Sequence, residues 1–187
     1  MGLQTWQETV VTATADGPTI TALGAASAIH TGARITLPNN FWSIGKMMKL
    51  TAAGRISCAV TTPGTARWDV RTGPTGAIIA FDGGALNLNV VAKTTVPFFL
   101  EIILTCRAIG SGTLANLMGI GRFVSEAVIG SPLPSVGANG SLIMPVGTPA
   151  VGAGFDSTAA NVIDLFFTQT VATGSLTVHQ YSVEILN

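Results

Sequence analysis

The chain has 187 residues, enough to bury one substantial core, and it is 48% hydrophobic but only 10% charged, against about 25% charged in ordinary soluble domains. Its nine basic and nine acidic residues cancel, which argues against a nucleic-acid binder with a basic face and leaves no self-repulsion to hold copies apart. The longest apolar stretch, Val96–Leu104, contains Pro97 and Glu101 and is about half the length that a membrane-spanning helix needs, while Met1–Val10 lacks the pattern of a secretory leader.

In chain order, short runs rich in Val, Ile, Phe and Thr alternate with turn signals, and no amphipathic helix of useful length appears. The first run is Glu8–Ala15, closed by Asp16-Gly17-Pro18, and a small-residue stretch leads to Arg34–Leu37 before Pro38-Asn39-Asn40. Lys46–Val60 is either one long bent strand or a hairpin broken near Ala53-Gly54. Pro63-Gly64 turns the chain into Ala66–Arg71, Gly73–Gly76 turns it into Ala77–Phe81, and Asp82-Gly83-Gly84 ends that run. Pro97–Ala108 and Thr113–Val128 are the two longest runs, separated by Gly110-Ser111-Gly112. Gly130–Gly154 reads as a long ordered loop with one short strand at Leu142–Met144, and residues 1–30 as a possible extended arm. Asn161–Thr170 and Leu176–Leu186 flank a turn at 171–175 and suggest a terminal hairpin. Eight to ten such strands predict one all-β domain over 1–187, an antiparallel β-sandwich of jelly-roll type.

The sequence offers little chemistry. Gly110-Ser111-Gly112-Thr113-Leu114-Ala115 fits a dinucleotide fingerprint, but that motif needs a helix directly after it. Asn116–Val124 holds two glycines and β-branched residues, so a glycine turn between two strands is the better reading. The only histidines, His30 and His179, lie in ordinary polar contexts with no nucleophile elbow anywhere. Cys58 and Cys106 sit in strand-like runs and read as buried free thiols. The carboxylates are scattered singly. We expect no catalytic residues, no metal and no cofactor.

Two patches are candidates for protein contact. Phe41-Trp42 follows the Pro38-Asn39-Asn40 turn, where it can anchor the core or plug an interface. In Arg67-Trp68-Asp69-Val70-Arg71, strand alternation sets Trp68 and Val70 against the three charges, with Asp69 able to offset both arginines. That charged face is either solvated or an inter-subunit contact. The candidate interface set is therefore Phe41, Trp42, Arg67, Trp68, Asp69 and Arg71.

The phrases GARITLPNNFW, GKMMKLTAAGRIS, TTPGTARWDVR, FDGG, VAKTTVPFFLEIILTCRAIGSGTLANLMG, EAVIGSPLP, GFDSTAANVIDLFF and TVHQYSVEILN resemble, in that order, a group of tailed-bacteriophage virion proteins similar to jelly-roll head decoration, or cement, proteins. The resemblance runs from about Trp6 to the end and is strongest between Val91 and Phe167. It implies a non-enzymatic homotrimer, made in the bacterial host cytoplasm, on the outer capsid surface and bound to the major capsid protein. It implies no direct nucleic-acid or membrane contact. The alternative is a tail or fibre protein that contacts a host-surface glycan or protein.

Overall fold

The computed structural model describes residues 7–30, 32, 34–58, 64–130, 140–170 and 174–186. In chain order the strands are β1 (Gln7–Thr12), β2 (Ser27–Ala28), β3 (Ile35–Leu37), β4 (Met47–Cys58), β5 (Thr65–Thr72) and β6 (Ile78–Leu88). They continue with β7 (Lys93–Ala108), β8 (Asn116–Ser125), β9 (Val128–Gly130), β10 (Ser141–Met144), β11 (Asn161–Gln169) and β12 (Ser175–Leu186). The described residues contain no helix. Sheet 1 has the order β1-β12-β4-β7-β8-β10; sheet 2 has β2-β11-β5-β6-β9, with β3 also pairing β11. All pairings between named strands are antiparallel. The pairs β4–β12, β5–β11, β6–β9 and β7–β8 nest in sequence, the wrapped order expected of a jelly-roll-like sandwich.

Strand alternation builds the core. In β4, Met48, Leu50, Ala52 and Ile56 are buried while Lys49 and Thr51 lie between them on the other face. The same alternation in β5 sends Trp68 and Val70 inward. Trp68 joins the two sheets: its ring lies 4.9 Å from Phe167 in its own sheet and 5.6 and 5.7 Å from Phe98 and Phe123 in the other. These aromatic contacts and the aliphatic residues around them form a single hydrophobic cluster, whose burial is the main stabilising term of the fold.

Lys46–Val60 resolves as one strand, β4, over the described residues; residues 59–63, including Pro63 of the expected turn, lie outside them. Gly54 sits beside the bulge of β12 between Val178 and Gln180, where a Cβ would collide with the Thr177 carbonyl. Two expectations are corrected. Asp82-Gly83-Gly84 does not end a strand: β6 runs through it to Leu88. The register slips between Arg67 and Asp69, and Gly84 at φ 75° absorbs the extra residue as a bulge. The last two strands do not form a hairpin. β11 pairs β5 in sheet 2 and β12 pairs β4 in sheet 1, because each carries an inward apolar set that fills a different face of the core. Within that connection residues 171–173 lie outside the described residues.

Residues 7–30 lie along the sandwich, with β1 at the edge of sheet 1, β2 at the edge of sheet 2, and Ile20 and Ile29 buried. Residues 1–6 and 131–139, parts of the expected arm and loop, lie outside the described residues. Beyond β10 the chain closes one side of the sandwich. The Gly152 and Phe155 amides donate to Leu117 and Ala115 of sheet 1 and its margin, and those of Val146 and Ala153 donate to Gly83 and Ile79 of β6.

Candidate functional site

The outer face of sheet 1 is unusually apolar. Alternation in β7 points Phe99, Glu101, Ile103 and Thr105 outward, and in β8 it points Met118, Ile120, Arg122 and Val124 the same way. Register sets them in rows: Thr105 beside Met118, Ile103 beside Ile120, Glu101 beside Arg122 and Phe99 beside Val124. The rows extend through Lys49, Thr51 and Ala53 on β4 and through Ile143 on β10. Phe99, Ile120 and Ile143 are 43%, 55% and 63% exposed, and Val151, bridged to Met118, continues the patch. Exposed large apolar side chains scattered singly are ordinary; a set in adjacent rows of one sheet is a candidate contact surface.

The polar groups on this face differ in their partners. Lys49 Nζ lies 2.6 Å from Glu184 Oε2 toward the β12 side, and Gln7 of β1 also donates to that carboxylate. Glu101 and Arg122 stand directly opposite each other, yet neither forms an ion pair among the described residues. Arg122 reaches only the Ser141 hydroxyl, at 3.4 Å. The Phe99 ring divides two shallow concavities, of about 280 Å³ beside Thr12, Thr51, Gln180 and Ser182 and about 330 Å³ beside Pro97, Val124 and Glu126.

The sequence-derived candidates fall elsewhere. Trp42 is buried, edge-on to Phe41 at 5.2 Å and to Phe155 at 6.4 Å. Phe41 is half-buried under the Lys46 ammonium, 4.0 Å from the ring centre, so this pair anchors the core margin. Trp68 is fully buried between the sheets. Of the charges, Asp69 bonds directly to one arginine: Arg71 donates to Asp69 Oδ2 through Nε and Nη2 at 3.1 and 2.9 Å, while Arg67 forks onto Asp82 at 2.8 and 2.5 Å and acts on Asp69 through space. The bulge in β6 carries Asp82 opposite Asp69 and so supplies Arg67 with its own carboxylate.

This charged row on sheet 2 is partly covered. Asp69 and Asp164 are almost fully buried, each with an Oδ1 that accepts no hydrogen bond. Burial raises the Asp69 pKa against the opposing pull of Arg71 and then Arg67. Burial also pushes Asp164 up to about 6, against the Leu165 amide and the charges of Arg34 and Arg71. Arg71 also lies 4.3 Å over the Phe166 ring; the row thus holds two matched pairs, Arg71–Asp69 and Arg67–Asp82, beside Asp164, which has no ion pair among the described residues.

His179 Nδ1 lies 2.9 Å from Asp16 Oδ1, and the His30 ring bridges the Ala15 carbonyl and the Gly32 amide. Neither contact includes a nucleophile. Both cysteines are buried and free. The glycine motif at 110–115 leads into β8, a strand. Among the described residues no three His, Cys, Asp or Glu side chains come together as a metal would need, and no helix is long and apolar enough to cross a membrane.

Phe99, Ile120 and Ile143 were missed by sequence reasoning, though a signal existed. Phe98-Phe99-Leu100 and Ile102-Ile103-Leu104 are apolar on both strand faces, and a strand buried on only one side should not be.

No protein-family model and no curated protein matches the chain. Among solved structures, it is similar to the CBM2 module of the evolved Dit of Lactobacillus casei BL23 phage J-1, with 10% sequence identity and a TM-score of 0.38 over 99% of this chain and 98% of that one. A likeness at that score carries no functional argument.

Proposed function

We propose that the chain is a non-enzymatic structural protein of a tailed-bacteriophage virion, which decorates and stabilises the outer capsid surface through protein contacts made by the outer face of sheet 1. The observation that carries this reading is that face, with Phe99, Ile120 and Ile143 projecting in adjacent rows from long paired strands. Loss of such surface from water drives association without any charge on the partner. The resemblance of its sequence phrases to phage virion proteins supports the same reading. Its mechanism is linkage: a chain that binds only the assembled shell, with the major capsid protein as partner, shifts the equilibrium toward that shell, and many weak copies sum.

A second reading, a tail or fibre station contacting a host-surface glycan, has its own observation. The exposed Phe99 ring borders a concavity lined also by Thr12, Thr51, Gln180 and Ser182, an apolar-plus-polar lining of the kind small-ligand sites use. Against it, Trp42, Trp68 and Tyr181 are all buried, so among the described residues no tryptophan or tyrosine ring is presented for stacking; Trp6 lies outside them.

Particles lacking the chain separate the readings. Heads that assemble but release DNA at a lower temperature, rescued by added protein, are the expected result. Unchanged heads with reduced adsorption would establish the second reading, and unchanged heads with normal adsorption would overturn both.

A further inference from the structure

We infer that an occupant of the sheet 1 face is a second copy of this chain, related by a two-fold axis running along the strands between β7 and β8. The inference rests on the reading of that face as a contact surface and names what covers it in the chain free of the shell, a weak pairing that the shell must displace to use the same face.

A half-turn about that axis lays β7 of one copy over β8 of the other, so each row of the β7–β8 ladder meets itself reversed. Ile103 then faces Ile120 of the second copy, Phe99 faces Val124, and Thr105 faces Met118. β4 falls over β10, which sets Thr51 against Ile143 and Ala53 against Ser141. Apolar groups therefore meet apolar groups in the Ile103–Ile120 and Phe99–Val124 rows, while Thr105, Thr51 and Ser141 each set a hydroxyl against Met118, Ile143 and Ala53.

The charges discriminate this arrangement from others. Glu101 and Arg122 are neighbours in the middle row and neither has an ion-pair partner among the described residues. The two-fold places each Glu101 against Arg122 of the other copy, twice. Charges so matched are favourable, whereas a shifted or turned arrangement sets like against like or leaves them unpaired. The Lys49–Glu184 pair, already satisfied within the chain, lies at the β12 edge of the overlap, on β4 in the Ile103 row, where a polar rim belongs. With zero net charge, two copies do not repel.

Size sets the strength. The overlap is four strands wide and seven residues long, about 19 by 20 Å from ordinary strand spacings. That footprint of roughly 400 Å² per copy is about half that of a standard specific interface and below the size of a stable one, so the dimer is weak and transient. A three-fold arrangement would set this face against a different surface of its neighbour and leave the self-matched rows unused.

Sedimentation equilibrium of the full chain, on the order of 1 μM to 1 mM, tests the inference. We expect a monomer–dimer equilibrium whose dissociation constant rises at least tenfold in Ile120→Lys. Glu101→Arg and Arg122→Glu should each weaken self-association to a similar degree, and the double exchange should restore it. An equimolar mixture of the two single variants should dimerise more tightly than either alone, since their altered charges meet only across the axis. Circular dichroism and urea midpoints check that each variant folds; should Ile120→Lys not fold, the mixing experiment decides alone. A monomer throughout, a trimer, or a dimer indifferent to these exchanges would overturn the two-fold. Association of a monomeric chain with particles would overturn the pairing and leave the virion role standing; a dimer that particles ignore would do the reverse.

Discussion

Replacing Asp164 by asparagine should stabilise the protein at neutral pH and flatten its pH dependence. Asp164 is nearly inaccessible, one carboxylate oxygen has no hydrogen-bond partner, and burial lifts its pKa from 3.8 to about 6. A carboxyl with a raised native pKa holds its proton more tightly in the fold than in the unfolded chain. Its stabilising contribution is therefore fully present below about pH 4, declines as pH rises through 6 and is lost above about pH 7. A gap of about two units corresponds to about 3 kcal/mol in full, of which roughly half falls between pH 8 and pH 5. Arg34 and Arg71 lose a counter-charge in the variant and reduce the gain, while Asp69, raised by the same cause, keeps some residual slope. The assay is urea unfolding of both proteins from pH 4 to pH 8, followed by tryptophan fluorescence. The reasoning predicts curves that diverge as pH rises, with D164N the more stable above pH 6. Parallel curves, or a wild type that gains stability relative to D164N across this range, would refute it.

Trp68→Ala removes the ring that packs on Phe98, Phe123 and Phe167 and should cost about 3–5 kcal/mol in urea unfolding, while Arg67→Ala, losing an exposed pair with Asp82, should cost under about 1 kcal/mol; equal effects would contradict the assignment of core and surface. Cys58 and Cys106 are both buried, and burial raises the Cys106 thiol, so Ellman's reagent should modify neither quickly in the native protein and both in urea, whereas fast native labelling of either would show an open site.

The sandwich was legible because its cause is local. Thr65–Thr72 alternates Trp68 and Val70 against charges, and that period alone assigns a strand and its inward face. Buried Trp42 and Trp68 show where local reading stops: a large aromatic beside a turn fits a core or an interface equally until its neighbours are known. Strand partners were illegible for the same reason. Asn161–Gln169 and Ser175–Leu186 have the pattern of a hairpin, but the choice between pairing with each other and with β5 and β4 depends on which core face each one fills. Gly83-Gly84 has the composition of a turn and serves as a bulge, because the chain on both sides remains paired with β5. The contact face was readable only in the double apolar alternation of 98–104, and its extent required the register that brings Ile120 and Ile143 alongside.

The central claim, a virion protein working through the outer face of sheet 1, is tested most directly by counting the chain in purified particles. Quantitative mass spectrometry of gradient-purified virions, grown with either wild-type protein or the folded Ile120→Lys variant, reads incorporation against the major capsid protein. The account predicts many wild-type copies per particle and a variant retained at a small fraction of that number. A chain absent from the particles, or a variant incorporated as fully as the wild type, would contradict it.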